Sequence, residues 1–225
     1  MNAESNNAQT VTLRNGVEMP TLAFGCAFGD WVGATEFQGF LPEQAWRAVF
    51  LALNNGYRAF DGAHVYGTER IVGTLIGQRL ASGELTRDDL FITTKLAHPA
   101  TPPHINISHR RTWDFDTVDD IAQKVRDDMA DTLDDLGLGY VDLLLMHWPG
   151  GFGQPASDDP DFPRKARATI WRTMCELADK GAASQSLRLA AEGGPSPSER
   201  RAEWLRRIDA ADGADEGARR ALRSR

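Results

Sequence analysis

Four ionisable side chains in this sequence, Asp61, Tyr66, Lys95 and His147, have the types needed to polarise a carbonyl group and hand it a proton. Asp61 and Tyr66 stand five positions apart in Phe60-Asp61-Gly62-Ala63-His64-Val65-Tyr66-Gly67. Lys95 closes the run Leu90-Phe91-Ile92-Thr93-Thr94-Lys95, and His147 closes Leu143-Leu144-Leu145-Met146-His147. A phenol gives up its proton reluctantly near neutral pH, its ordinary pKa being about 10. A neighbouring ammonium favours the phenolate and so eases that transfer, while a carboxylate paired with the ammonium keeps it charged and oriented. An imidazole adds a donor that can hold a carbonyl oxygen. Such groups move protons but supply no redox equivalents, so a reduction here would need a cofactor.

Each residue taken singly also has a structural reading. Asp61 can serve the turn at Gly62, Lys95 can be a solvated strand end, Tyr66 can pack beside its loop, and His147 can be a satisfied buried histidine before Trp148-Pro149. Their joint occurrence at the ends of apolar runs favours chemistry.

The elements that must position these residues alternate between strands and helices. Val11-Thr12-Leu13 and Val17-Glu18-Met19 flank Asn15-Gly16, a hairpin signal because both turn residues tolerate positive φ. This hairpin is placed to plug the N-terminal end of the fold. Thr21 to Gly25 reads as a first strand, and Pro42 opens a helix whose apolar positions are Ala45, Val49, Leu51 and Ala52. Tyr57 to Phe60 is a second strand, and Thr68 to Ala81 a helix with Ile71, Val72, Leu75, Ile76 and Leu80 at helical spacing. Leu90 to Lys95 is a third strand, and Val118 to Leu136 a helix carrying Ile121, Val125, Met129 and Leu133 along one face. Val141 to Met146 is a fourth strand, and a fourth helix runs from about Arg164 to Lys180, ending at Gly181. Strand–helix alternation predicts a parallel sheet with right-handed crossovers, and ionisable strand ends match the catalytic edge of a parallel α/β barrel.

Among 225 residues the net charge is -7, which argues against a nucleic-acid binder. No apolar run approaches the roughly 20 residues that span a bilayer, and the first residues lack a signal-peptide pattern, so a cytoplasmic protein is expected. Cys26 and Cys175 fit reduced, buried thiols. His64, His98, His104 and His109 share no metal-ligand spacing, so no metal is expected. Gly73 and Gly77 fall inside a helix and follow no strand, so they are not a dinucleotide fingerprint.

The stretches around Asp61–Gly67, Thr93–Lys95 and Gly139–Pro149, with the opening hairpin, Pro20 and Gly25, resemble an aldo-keto reductase. The resemblance implies a (β/α)8 TIM barrel after an N-terminal hairpin, and reduction of an aldehyde or ketone by NADPH. It implies Tyr66 as general acid, Lys95 assisting it, Asp61 paired with Lys95 and bordering the cofactor, and His147 orienting the substrate carbonyl. Trp148 and Trp31 would wall the substrate pocket.

The resemblance covers about residues 10 to 181, or about four βα units, whereas a full barrel of this type runs to roughly 250 residues. From Ala182 the composition turns to Ser, Gly, Pro, Ala and Arg, with nine arginines against seven acids and no lysine. Residues 182–225 therefore read as a divergent tail, helical from about Glu199 or disordered, and not as a fifth βα unit. The expected protein is a truncated barrel lacking most of the family's cofactor contacts, impaired as a reductase. Open edges and exposed Leu143, Leu145, Phe91 and Ile92 would drive self-association. The alternative is a non-catalytic fragment with an interaction or regulatory role, or the product of a reading-frame change.

Overall fold

Apolar runs bracketed by turn residues become short parallel strands, and the amphipathic stretches between them become helices that cover those strands. The computed structural model describes residues 9–13, 16–28, 30–32, 36–38, 41–96, 118–147 and 161–182. In chain order the elements are β1 (Thr10–Thr12), β2 (Glu18–Pro20), β3 (Phe24–Gly25), β4 (Asp30–Val32), β5 (Glu36–Gln38), α1 (Pro42–Asn54) and β6 (Ala59–Asp61). There follow α2 (Glu69–Ala81), β7 (Phe91–Lys95), α3 (Val118–Leu136), β8 (Leu143–Leu145) and α4 (Phe162–Asp179). Strands β3, β6, β7 and β8 form a four-stranded sheet in that order, and every pairing in it is parallel. This is half of the strand count of a (β/α)8 barrel, with a helix after each of its four strands.

The opening hairpin forms as a separate two-stranded sheet, Thr10 to Thr12 pairing with Glu18 to Pro20. Its β1 residues are exposed, while Met19 and Pro20 of β2 are half-buried. A second antiparallel ribbon, β4 with β5, occupies a stretch expected to be loop. Helix α4 begins at Phe162, ahead of the expected Arg164, because Pro163 in the first turn has no N–H to leave unsatisfied.

Helices α1, α2 and α3 bury the expected faces with small changes. On α1, Ala45, Val49, Ala52 and Leu53 are buried while Leu51 is 47% exposed: Leu53, not Leu51, continues the core stripe. On α3, Ile121, Val125 and Met129 are buried, and Ala166, Ile170, Met174 and Ala178 repeat every four residues along α4 as the facing surface. Phe91 and Ile92 are buried, contrary to expectation, because β7 is an interior strand paired on both sides. Leu145, on the outermost strand, is 36% exposed. The N-terminal end of β8 is locked to β7 by Asp142, whose carboxylate accepts from the Ile92 N–H at 2.7 Å and from Arg87 at 2.6 Å. No helix among the described residues is long and apolar enough to cross a membrane.

Where α2 crosses the end of α3, Gly73 permits a very close approach. A Cβ there would sit 2.4 Å from the Leu136 carbonyl oxygen and 2.6 Å from that of Asp135. Gly73→Ala should therefore lose about 1–3 kcal/mol to overpacking despite alanine's better helix propensity. Gly77 in the same helix meets nothing within 4 Å, so Gly77→Ala should gain about 0.5–1 kcal/mol. Urea unfolding of both variants checks this; equal stabilisation would mean that α2 and α3 do not touch at Gly73. A second expectation concerns Cys26, whose thiol burial pushes up to about 12 from its ordinary 9.0, the Asp61 charge adding to the effect. In the native chain it should resist iodoacetamide at about pH 8, because the thiolate is the reactive form. This group's contribution to stability is fully present below its unfolded value and is lost as pH rises from there through about 12.

Candidate active site

In each interior strand the apolar residues are buried and the last, ionisable residue stands half-buried at the C-terminal edge of the sheet. Ala59 and Phe60 are buried and Asp61 is intermediate; Phe91 to Thr94 are buried and Lys95 is intermediate. The register places Asp61 opposite Thr93, so Lys95 lies one pleat farther along its strand. The long lysine side chain spans that offset. Its ammonium donates to Asp61 Oδ1 at 2.6 Å and to the Gly62 carbonyl at 2.8 Å. Two of the three ammonium donors are thus committed to the turn that follows β6.

That turn carries Tyr66. After Gly62 the chain makes one 3₁₀ turn, His64 to Tyr66, and Gly67 with φ of 67° redirects it into α2, a left-handed conformation that a residue with a Cβ rarely adopts. Thr68 donates to the Cys26 carbonyl at 2.8 Å, and the Cys26 N–H donates to the Asp61 carbonyl at 3.0 Å, which ties the turn to the ends of β3 and β6. The result brings the Tyr66 ring under the ammonium: Lys95 Nζ lies 5.1 Å from the ring centroid. His147 stands two residues beyond Leu145, the residue paired with Lys95. Its ring meets the Tyr66 ring edge-on, at 5.6 Å between centroids and 83° between planes. Asp61, Tyr66, Lys95 and His147 are therefore drawn to one edge of one sheet.

Trp31 lies in the β4–β5 ribbon, paired with Phe37. Trp148 lies outside the described residues, as do His98, His104 and His109. Among the described residues no group of three His, Cys, Asp or Glu side chains is arranged to hold a metal ion. What the sequence reasoning missed is a buried polar group beneath the tetrad, made of His64, Glu69, Thr94, Asp128 and Thr132. One signal was legible: Glu69 falls on the apolar side of α2, three positions before Val72 and seven before Ile76, where an unpartnered carboxylate would be costly.

Chemically, the edge offers a phenol beside an ammonium, an imidazole against the same phenol, and a carboxylate that fixes the ammonium. This arrangement suits donating a proton to a polarised carbonyl oxygen. The Aldo/keto reductase family model matches residues 24–185. The chain is 35% identical over 185 residues to aldo-keto reductase family 1 member A1-A of Danio rerio, covering 77% of this chain and 47% of that protein. It is 36% identical over 182 residues to the D/L-glyceraldehyde reductase of Hypocrea jecorina, covering 76% and 46%. Among solved structures, the aldo-keto reductase AKR2E5 complexed with NADPH superimposes with a TM-score of 0.56 at 30% identity, over 79% of this chain and 46% of that one. The Bombyx mori aldo-keto reductase AKR2E4 in complex with NADP gives 0.55 at 27% identity, over 78% and 48%. The chain thus spans about half the length of the curated relatives it matches. With the sheet, its ionisable edge and these matches agreeing, the chain belongs to the aldo/keto reductase family.

Proposed function

We propose that this chain carries the proton-delivering half of a carbonyl reductase site, acting on a small aldehyde or ketone. Tyr66 is the general acid, Lys95 stabilises the phenolate that forms, Asp61 holds Lys95, and His147 orients the carbonyl oxygen. The observation that carries the reading is the placement of Lys95: bonded to Asp61 and Gly62, its ammonium lies 5.1 Å from the Tyr66 ring, which itself meets His147. Trp31 and Trp148 are assigned to the substrate pocket by resemblance alone. Small sugar-like aldehydes are the substrates to try first, since one relative is named a D/L-glyceraldehyde reductase. Cys26 and Cys175 are not joined in a disulfide, which supports a cytoplasmic setting.

The family cofactor is NADPH, which when bound supplies hydride to the carbonyl carbon. The described residues support the carbonyl end of that reaction. Among them, Lys95 is bonded to Asp61 and Gly62, which assigns it to proton delivery. We divide the chain into a reductase-like unit, 10–181, and a tail, 182–225, and expect the chain by itself to lack most cofactor contacts. Outside a complete site it acts at most as an interaction or regulatory protein. Among the described residues β3 and β8 each have one strand neighbour. Leu145 on β8 and Trp46 and Phe50 on α1 are exposed. This supports association with a second copy.

Purified full-length chain should show little or no oxidation of NADPH at 340 nm with glyceraldehyde. A proton donor contributes about 10²–10⁴-fold only when hydride donor and carbonyl are already held together. Joining residues 1–181 to the C-terminal half of the Danio rerio relative should restore turnover, and Tyr66→Phe in that chimaera should lower kcat by about 10²–10⁴-fold. Micromolar NADPH binding and aldehyde reduction by the native-length chain would contradict the assigned division of labour. Light scattering should give a mass of at least two copies; a monomer at high concentration would rule out association through these surfaces.

A further inference from the structure

Alternation along β7 turns Lys95 toward the catalytic edge and its neighbour Thr94 toward the covering helices. There Thr94 meets Glu69, from the first turn of α2. Both are buried, as are Thr132 of α3 and His64, two residues before Tyr66. Glu69 Oε1 accepts from the Thr94 hydroxyl at 2.7 Å, and Oε2 accepts from the Thr132 hydroxyl at 3.1 Å. The Thr132 oxygen also lies 3.3 Å from His64 Nδ1. His64 Nδ1 stands 4.0 Å from Glu69 Oε2, and Nε2 stands 3.7 Å from Asp128 Oδ1.

The hydrogens can be counted. A threonine hydroxyl has one hydrogen to donate, and that of Thr132 is given to Glu69. The contact between Thr132 and His64 is then a hydrogen bond only if Nδ1 carries a hydrogen and donates it. We propose that Glu69 is a positioning residue: through Thr94 on one side, and through Thr132 and Nδ1-protonated His64 on the other, one buried carboxylate sets the spacing between the strand end presenting Lys95 and the turn presenting Tyr66. The purpose of this brace rests on the reading of Tyr66 as proton donor; the geometry does not. Replacing the carboxylate by an amide leaves one acceptor and introduces a donor. If the amide nitrogen faces Thr132, that hydroxyl must reverse and give its hydrogen to His64 Nδ1, which must then carry none of its own.

Long-range ¹H–¹⁵N spectra of the full chain, labelled at histidine, read the imidazole hydrogen directly. Native His64 should carry it on Nδ1. Glu69→Gln should shift the Tyr66 ring resonances and, where the amide nitrogen faces Thr132, leave Nδ1 bare. Val72→Ala, a cavity in the same helix without a partner in the network, should lower stability and leave both signals in place. A bare Nδ1 in the native chain overturns the proposal, and so does a folded Glu69→Gln chain with unchanged His64 and Tyr66 signals. Should Glu69→Gln fail to fold, the native spectrum still decides. No readout requires turnover, so a native chain with the expected spectra and a catalytically dead chimaera would refute the reductase reading alone.

Discussion

The Asp61–Lys95 ion pair exists because β6 and β7 run parallel and adjacent, and the rest of the candidate site is arranged around it. Parallel neighbours lie about 4.8 Å apart, so a carboxylate on one strand end is beyond contact with a short side chain on the next. Lysine closes that distance and the one-pleat stagger together, and its second bond, to the Gly62 carbonyl, pins the start of the Tyr66 turn. The lysine side chain is 13% exposed while that of Asp61 is 42% exposed. The lysine side chain is therefore the more enclosed partner of the pair. Tyr66 and His147 then need only short connections from strand ends already fixed.

Two polar systems share the same strands without mixing. Along β7, Thr93 and Lys95 belong to the side of the sheet that carries the tetrad, while Thr94 belongs to the helix-covered side with Glu69. The chain between β6 and α2 does the same over a few residues, giving His64 to the helices and Tyr66 to the edge. Period-two alternation therefore lets one strand present a catalytic-type group and anchor its support at once. Gly73 belongs to this design: its close contact with the end of α3 sets the separation of α2 and α3 on which the Glu69–Thr132 bond depends.

Strand ends and helix faces were legible because each is a local pattern: an apolar run closed by Asp, Lys or His, or apolar residues at helical spacing. The parallel order β3-β6-β7-β8 followed from strand–helix alternation. What escaped was non-local or short. The β4–β5 ribbon has three residues per strand, too few for alternation to stand out from a loop. The burial of Phe91 and Ile92 depends on β7 having neighbours on both sides, and that of Leu53 over Leu51 on which side of α1 meets the sheet. The buried network joins residues 63 and 68 positions apart, so no window of sequence contains it.

The claim that the ends of β6 and β7 bring Asp61 and Lys95 together is tested most directly by a double-mutant cycle. Asp61→Asn, Lys95→Met and the double variant of the 225-residue chain would be compared by urea unfolding at low salt. Residues in direct contact should be coupled, here by about 0.5–1 kcal/mol, because Lys95 is half-buried while Asp61 is 42% exposed to screening solvent. Additivity within about 0.3 kcal/mol, in variants that remain folded, would show that Asp61 and Lys95 do not meet in this chain.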